Sequence, residues 1–149
     1  VEGMLCRPGA AFDQMVRLVW EHMVRTAPVA RGIAPAFGVV PDEAFTLGLL
    51  HDVGKLVLFD RIGTLRADLR RDLQLSGPLV TRMLRALHEP LGGAAALRWG
   101  LGKAAAEVIG AHHRRAEPLV PSAHAECIHV AERLDLALVR GKPVELDGW

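Results

Sequence analysis

Apolar residues recur at helical spacing along most of the chain. Phe12, Met15, Val16, Val19 and Met23 share one face of a stretch over 11–27. The pattern carries on through Val29 and Ile33, with Pro28 predicting a kink and Pro35 a disturbance near the end. Gly38 breaks the run, and Pro41-Asp42-Glu43 reads as a helix start with acids in the first turn, leading into 42–50. Leu56, Val57, Leu58 and Phe59 form a short apolar stretch that reads as continuing helix, although its periodicity also suits a strand. Residues 62–74 suit a more polar helix closed by Ser76-Gly77-Pro78.

A further helix over 79–87 (Leu79, Val80, Met83, Leu84, Leu87) is expected to stop before Pro90. Residues 91–99 are small and apolar and end in Arg98-Trp99-Gly100, and 103–113 is helical through Ala105, Val108 and Ile109. The segment 114–121, with Pro118 and Pro121, reads as a loop. Ser122 then caps a last helix reaching about Arg140, and the tail from Gly141 to Trp149 reads as extended or frayed. With no repeat and no alternating strand pattern, the expected fold is an all-α bundle of roughly seven short helices around one core.

Composition narrows the class. A length of 149 residues suits one domain over 1–149, half the residues are hydrophobic, and no charge block interrupts them, as expected of a folded globule. The chain starts at Val1 rather than Met, which reads as a piece of a longer protein. Eighteen basic against seventeen acidic residues leave a net charge of +1 and no electrostatic reason to expect nucleic acid or a membrane surface. Arg70-Arg71 and Arg114-Arg115 read as solvated helix ends. Cys6 and Cys127 fit no metal spacing, and free thiols in a reducing cytoplasm are expected. No apolar run approaches the roughly 20 residues of a membrane span, and no signal peptide is evident.

The sharpest chemical signal is Leu49-Leu50-His51-Asp52-Val53-Gly54-Lys55. An imidazole beside a carboxylate suits Fe, Mn, Zn or Ni better than Mg or Ca. The pair follows an apolar run (Phe45, Leu47, Leu49, Leu50), which places it at the inner end of a buried helix, and a buried charge must be paired or metal-bound. The other six histidines differ by context. His22 follows Val19 by three and Met15 by seven; His112 follows Val108 by four and His113 follows Ile109 by four, so each can point inward. His88 stands between two helical segments, just before Glu89-Pro90, whereas His124 and His129 have no supporting pattern and read as ordinary helical histidines.

Taken together, these residues resemble the HD superfamily and, more narrowly, the HDOD domain, the HD-related output domain of bacterial signalling proteins. The resemblance covers about residues 15–140. Val19-Trp20-Glu21-His22 resembles the first-histidine helix, and Ala44 through Lys55 the central signature. His88-Glu89-Pro90-Leu91-Gly92 with Trp99-Gly100-Leu101 resembles the HxxxG helix and its trailing tryptophan. Val108 through His113 resembles the paired-histidine helix, and His129-Val130-Ala131-Glu132 occupies the place of the final Ala-Asp. The resemblance implies a metal set of His22, His51, Asp52, His88, one or both of His112 and His113, and Glu132, holding one or two divalent ions. It also implies Asp52 and Lys55 as catalytic candidates, with Lys55 either near a substrate phosphate or simply solvated past Gly54. Trp99 reads as a core or helix-packing residue rather than a stacking platform.

Two functions follow from the resemblance. One is a cytoplasmic output or regulatory domain that binds other signalling proteins or a phosphorylated small ligand. The other is a metal-dependent phosphohydrolase acting on a nucleotide or other phosphoester, implied by the near-complete ligand set. Two departures favour the first. Glu132 stands where the pattern has Asp, and its extra methylene shifts the carboxylate by about an ångström, against shells that tolerate about 0.2 Å. After His113 the chain reads Arg114-Arg115-Ala116-Glu117-Pro118, without the Gly-Tyr-Pro of the cyclic-di-GMP phosphodiesterase subgroup.

Overall fold

The computed structural model describes residues 10–69, 76–113 and 122–141. They form six α-helices and one short 3-10 turn: α1 (Ala10–Ile33), the turn Ala34–Phe37, α2 (Pro41–Leu50), α3 (Val53–Leu69), α4 (Gly77–Arg98), α5 (Lys103–Ile109) and α6 (Ala123–Arg140). No strand occurs among the described residues, so the all-α expectation holds. The loop expected over 114–121, the tail beyond Gly141, Cys6 and both Arg-Arg pairs lie outside the described residues.

Local signals explain most boundaries. Gly38 ends the 3-10 turn in the left-handed region at φ 67°, and its N–H bonds back to the turn's carbonyls. Ser122 opens α6 by accepting the Ala125 N–H at 3.1 Å. Four expectations are corrected. The described part of 62–74, up to Leu69, is no separate helix but continues the helix that holds 56–59, because Leu58, Phe59 and Ile62 bury one continuous face of α3 and Gly63 is too weak a breaker to interrupt it. Ser76-Gly77-Pro78 opens α4 rather than closing its predecessor: the Ser76 hydroxyl accepts the Leu79 N–H, and Pro78 stands in the first turn, where it forfeits no helical bond. Finally, α4 continues through Pro90 to Arg98. Proline removes one N–H, but the helix buries Val80, His88, Gly92, Gly93 and Ala96 on both sides of it, and that packing holds the segment helical. The helix expected over 103–113 is shorter, ending at Ile109 with turns through His113.

Close helix crossings place the site. Met23, Ala27 and Ala30 of α1 are fully buried, and a Cβ added to Gly48 of α2 would stand 3.0 Å from the Ala27 Cα. Helices α3 and α4 cross more tightly still, with Gly54 pressed on the His88 carbonyl oxygen and on the Gly92 backbone. A second apolar cluster of Leu58, Phe59, Ile62 and Val80 fills the remainder of that crossing.

Candidate metal centre

His51 and Asp52 form the turn between α2 and α3, and both are completely buried. The Lys55 N–H closes the turn on the Asp52 carbonyl at 2.9 Å. Around the Asp52 carboxylate stand His22 from α1, His88 from α4 and His112 from the turn after α5. His22 Nε2 is 3.8 Å and His51 Nε2 3.6 Å from Oδ2, and His88 Nε2 is 3.9 Å and His112 Nε2 3.6 Å from Oδ1. Lys55 Nζ donates to Oδ2.

The other ring nitrogens fix the chemistry of these histidines. His51 Nδ1 faces the Gly48 carbonyl at 2.8 Å, His88 Nδ1 that of Leu84 at 2.6 Å, and His112 Nδ1 that of Ile109 at 2.9 Å. A carbonyl only accepts, so each Nδ1 carries the proton and a neutral ring turns a bare Nε2 lone pair inward. Burial pushes the pKa of His51 down to about 3 and lowers that of His88 as well, so both rings are neutral. Burial opposes the charge on Asp52, yet His112, His51 and Lys55 outweigh it and hold the carboxyl below the usual range. For His112 burial acts downward, but the facing Asp52 carboxylate prevails and raises its pKa.

Asp52 Oδ1, His88 Nε2 and His112 Nε2 are buried and have no hydrogen-bond partner among the described residues. Such atoms are rare in folded proteins, and three acceptors facing one another are unfavourable unless a cation or a proton stands among them. Two imidazole nitrogens and a carboxylate oxygen, each ring locked from behind, are the donor set of a borderline divalent metal.

The structure brings all seven predicted ligand residues into two adjacent groups. Asp52, His88, His112 and His113 offer ligand atoms within 4.8 Å of one another, as do His22, His51 and Glu132. Burial raises the pKa of Glu132. Lys55 Nζ pairs with Asp52 Oδ2 and is partly open to solvent. Trp99 is not a core residue: it ends α4 beside Gly100 and is 39% exposed. His124 reaches solvent and pairs with Glu43 at 3.1 Å, as an ordinary helical histidine does.

Three residues escaped the sequence reading. Buried Asp135 faces His22 Nδ1 at 2.7 Å and accepts from Arg25 Nε at 2.8 Å, which makes it a positioning residue that turns His22 Nε2 inward. Its signal was available, since an acid three residues after Glu132 lies on the same α6 face as Ile128 and Ala131. Glu89 accepts the His113 backbone N–H at 2.9 Å, a contact that no spacing rule reveals. His129, read as ordinary, stands with His113 and Glu132 in a third group of neighbouring ligand atoms.

The family model of the HDOD domain matches residues 7–115. The chain belongs to the HDOD domain family. The matched stretch carries His22, His51, Asp52, His88, His112 and His113, whereas the α6 residues of this HDOD domain lie beyond it. Among curated proteins and solved structures, none matches. Among the described residues, no helix is long and apolar enough to cross a membrane.

Proposed function

We propose that this HDOD domain is a bacterial signal-transduction output domain built around a divalent metal centre. It works in the cytoplasm by binding a partner signalling protein or a phosphorylated small ligand, not by turnover. The observation that carries the metal centre is the trio of buried, unpartnered atoms, Asp52 Oδ1, His88 Nε2 and His112 Nε2. Fe, Mn, Zn and Ni all suit that set. When bound, the ion supplies a Lewis acid able to accept an oxygen of a phosphoryl group. Lys55 supports an anionic ligand, because its ammonium reaches the site while remaining partly open to solvent.

The opposite face of Asp52 is already engaged. Lys55 holds Oδ2. A second ion on that oxygen must displace the ammonium, which supports one ion and a binding role. The phosphohydrolase reading is favoured by one observation, the proximity of His22, His51 and Glu132 as a second ligand group. Metal analysis of protein purified without chelator, followed by a phosphoester screen, separates the two. One ion and no turnover is expected. Two ions with turnover would establish the hydrolase, and no metal after reconstitution with Mn or Fe would make the centre a relic held by a proton.

Asp135→Asn tests the positioning role in the same assay. Asn keeps the shape but loses the charge that holds His22 Nδ1 and Arg25. If His22 contributes to ion binding, affinity should fall about 10–100-fold, read by competition with a chelator. An unchanged affinity would place His22 outside the ion's shell.

A further inference from the structure

We infer that His113, His129 and Glu132 form an outer seat for a borderline divalent cation beside the centre at Asp52, with His113 in reach of both. Their ligand atoms lie within 4.8 Å of one another. Ligands of one ion at about 2.0–2.2 Å stand about 3–3.5 Å apart, so small side-chain rotations close the shell. His129 and Glu132 occur three residues apart on α6 and present neighbouring side chains. His113 comes from the turn after α5, and Glu89 anchors its backbone N–H.

The orientation of His113 separates it from the inner histidines. Those of His51, His88 and His112 tie Nδ1 to backbone carbonyls, but His113 Nδ1 faces Glu132 Oε2 at 3.4 Å. Its side chain is 34% exposed, whereas that of His112 is sealed. Two imidazoles and one carboxylate form a three-ligand set suited to Zn, Fe, Mn or Ni, with a position left toward solvent for water or an anion. The seat shares its neighbourhood, and residues with ligand potential, with the inner centre, yet it does not need Asp52.

The test is a calorimetric Zn²⁺ titration of the chelator-stripped protein, of His129→Gln and of Asp52→Asn. Wild type should show a weaker class of site beside any tight one. His129→Gln should weaken that class by at least about 10-fold, since loss of a direct ligand exceeds the usual effect of its supporting contacts. Asp52→Asn should keep it, and His129→Glu, which restores a ligand atom, should recover it in a protein of unchanged helical content. Identical isotherms for wild type and His129→Gln would overturn the outer seat, whatever the inner centre does. Loss of all binding in Asp52→Asn would overturn it too, because the outer ligands would then hold nothing alone. If wild type and Asp52→Asn bind alike and His129→Gln does not, the outer seat stands and the inner-centre proposal fails.

Discussion

Asp52→Asn should abolish tight metal binding while leaving the helical bundle intact. Asn preserves the volume of a completely buried residue and can still accept from Lys55, so packing around the turn is conserved. What disappears is the negative charge toward which His88 and His112 converge. Affinity should fall by more than the roughly 10–100-fold typical of supporting contacts, because the charged ligand itself is lost. Stability gives an independent readout. An ion at 100 times its dissociation constant stabilises a folded protein by about 2.7 kcal/mol. For a chain of this length that corresponds to a melting shift of roughly 5–10 °C. Wild type should show such a shift on adding Mn or Zn, and Asp52→Asn only the smaller shift that the weaker outer seat supplies. Equal shifts in both proteins would remove Asp52 from the centre.

The pH dependence of that shift follows from His112. Its pKa is raised in the folded state, so a proton competes with the ion for Nε2. Metal-dependent stabilisation is therefore fully present above the folded pKa and is lost as pH falls through it. In metal-free protein the sign reverses: the raised pKa contributes stability below the unfolded value, and this is lost as pH rises through the folded one. Melting curves with and without metal across this range should converge in acid and diverge toward alkaline pH.

The turn holding His51 and Asp52 was legible because apolar periodicity places it at the end of a buried helix, and because adjacent polar residues there demand partners. His22, His88 and His112 were legible from the family pattern, with helical spacing in support. Asp135 was overlooked although its spacing from Ile128 and Ala131 marks it, since a single acid among apolar residues also suits a helix edge. Glu89 could not be found from spacing, because its target is a backbone N–H on another element. The continuation of α4 through Pro90 was hidden for a related reason. Local propensity argues for a stop there, and only burial against α3 and α5, which is tertiary, decides otherwise.

Gly54→Ala should be the most damaging single-methyl change in the fold. In an ordinary helix interior, replacing Gly by Ala gains about 1 kcal/mol from propensity. At Gly54 the new Cβ would fall within the His88 carbonyl oxygen and 2.6 Å from the Gly92 nitrogen. Both are backbone atoms of α4 and cannot rotate away as a side chain can. Overpacking a core costs typically about 1–3 kcal/mol, and rigid neighbours place this case at or above the upper end. Relief requires α3 and α4 to separate, which carries His88 away from Asp52 just two residues before Gly54. Fold stability and metal affinity should therefore fall together. Gly32→Ala is the control, since an added Cβ there meets nothing within 4 Å. It should leave stability unchanged or raise it by up to about 1 kcal/mol. The denaturant midpoint should fall for Gly54→Ala and hold or rise for Gly32→Ala. A Gly54→Ala protein as stable as wild type, and still able to load metal, would show that the crossing yields at no cost and that Gly54 does not position the centre.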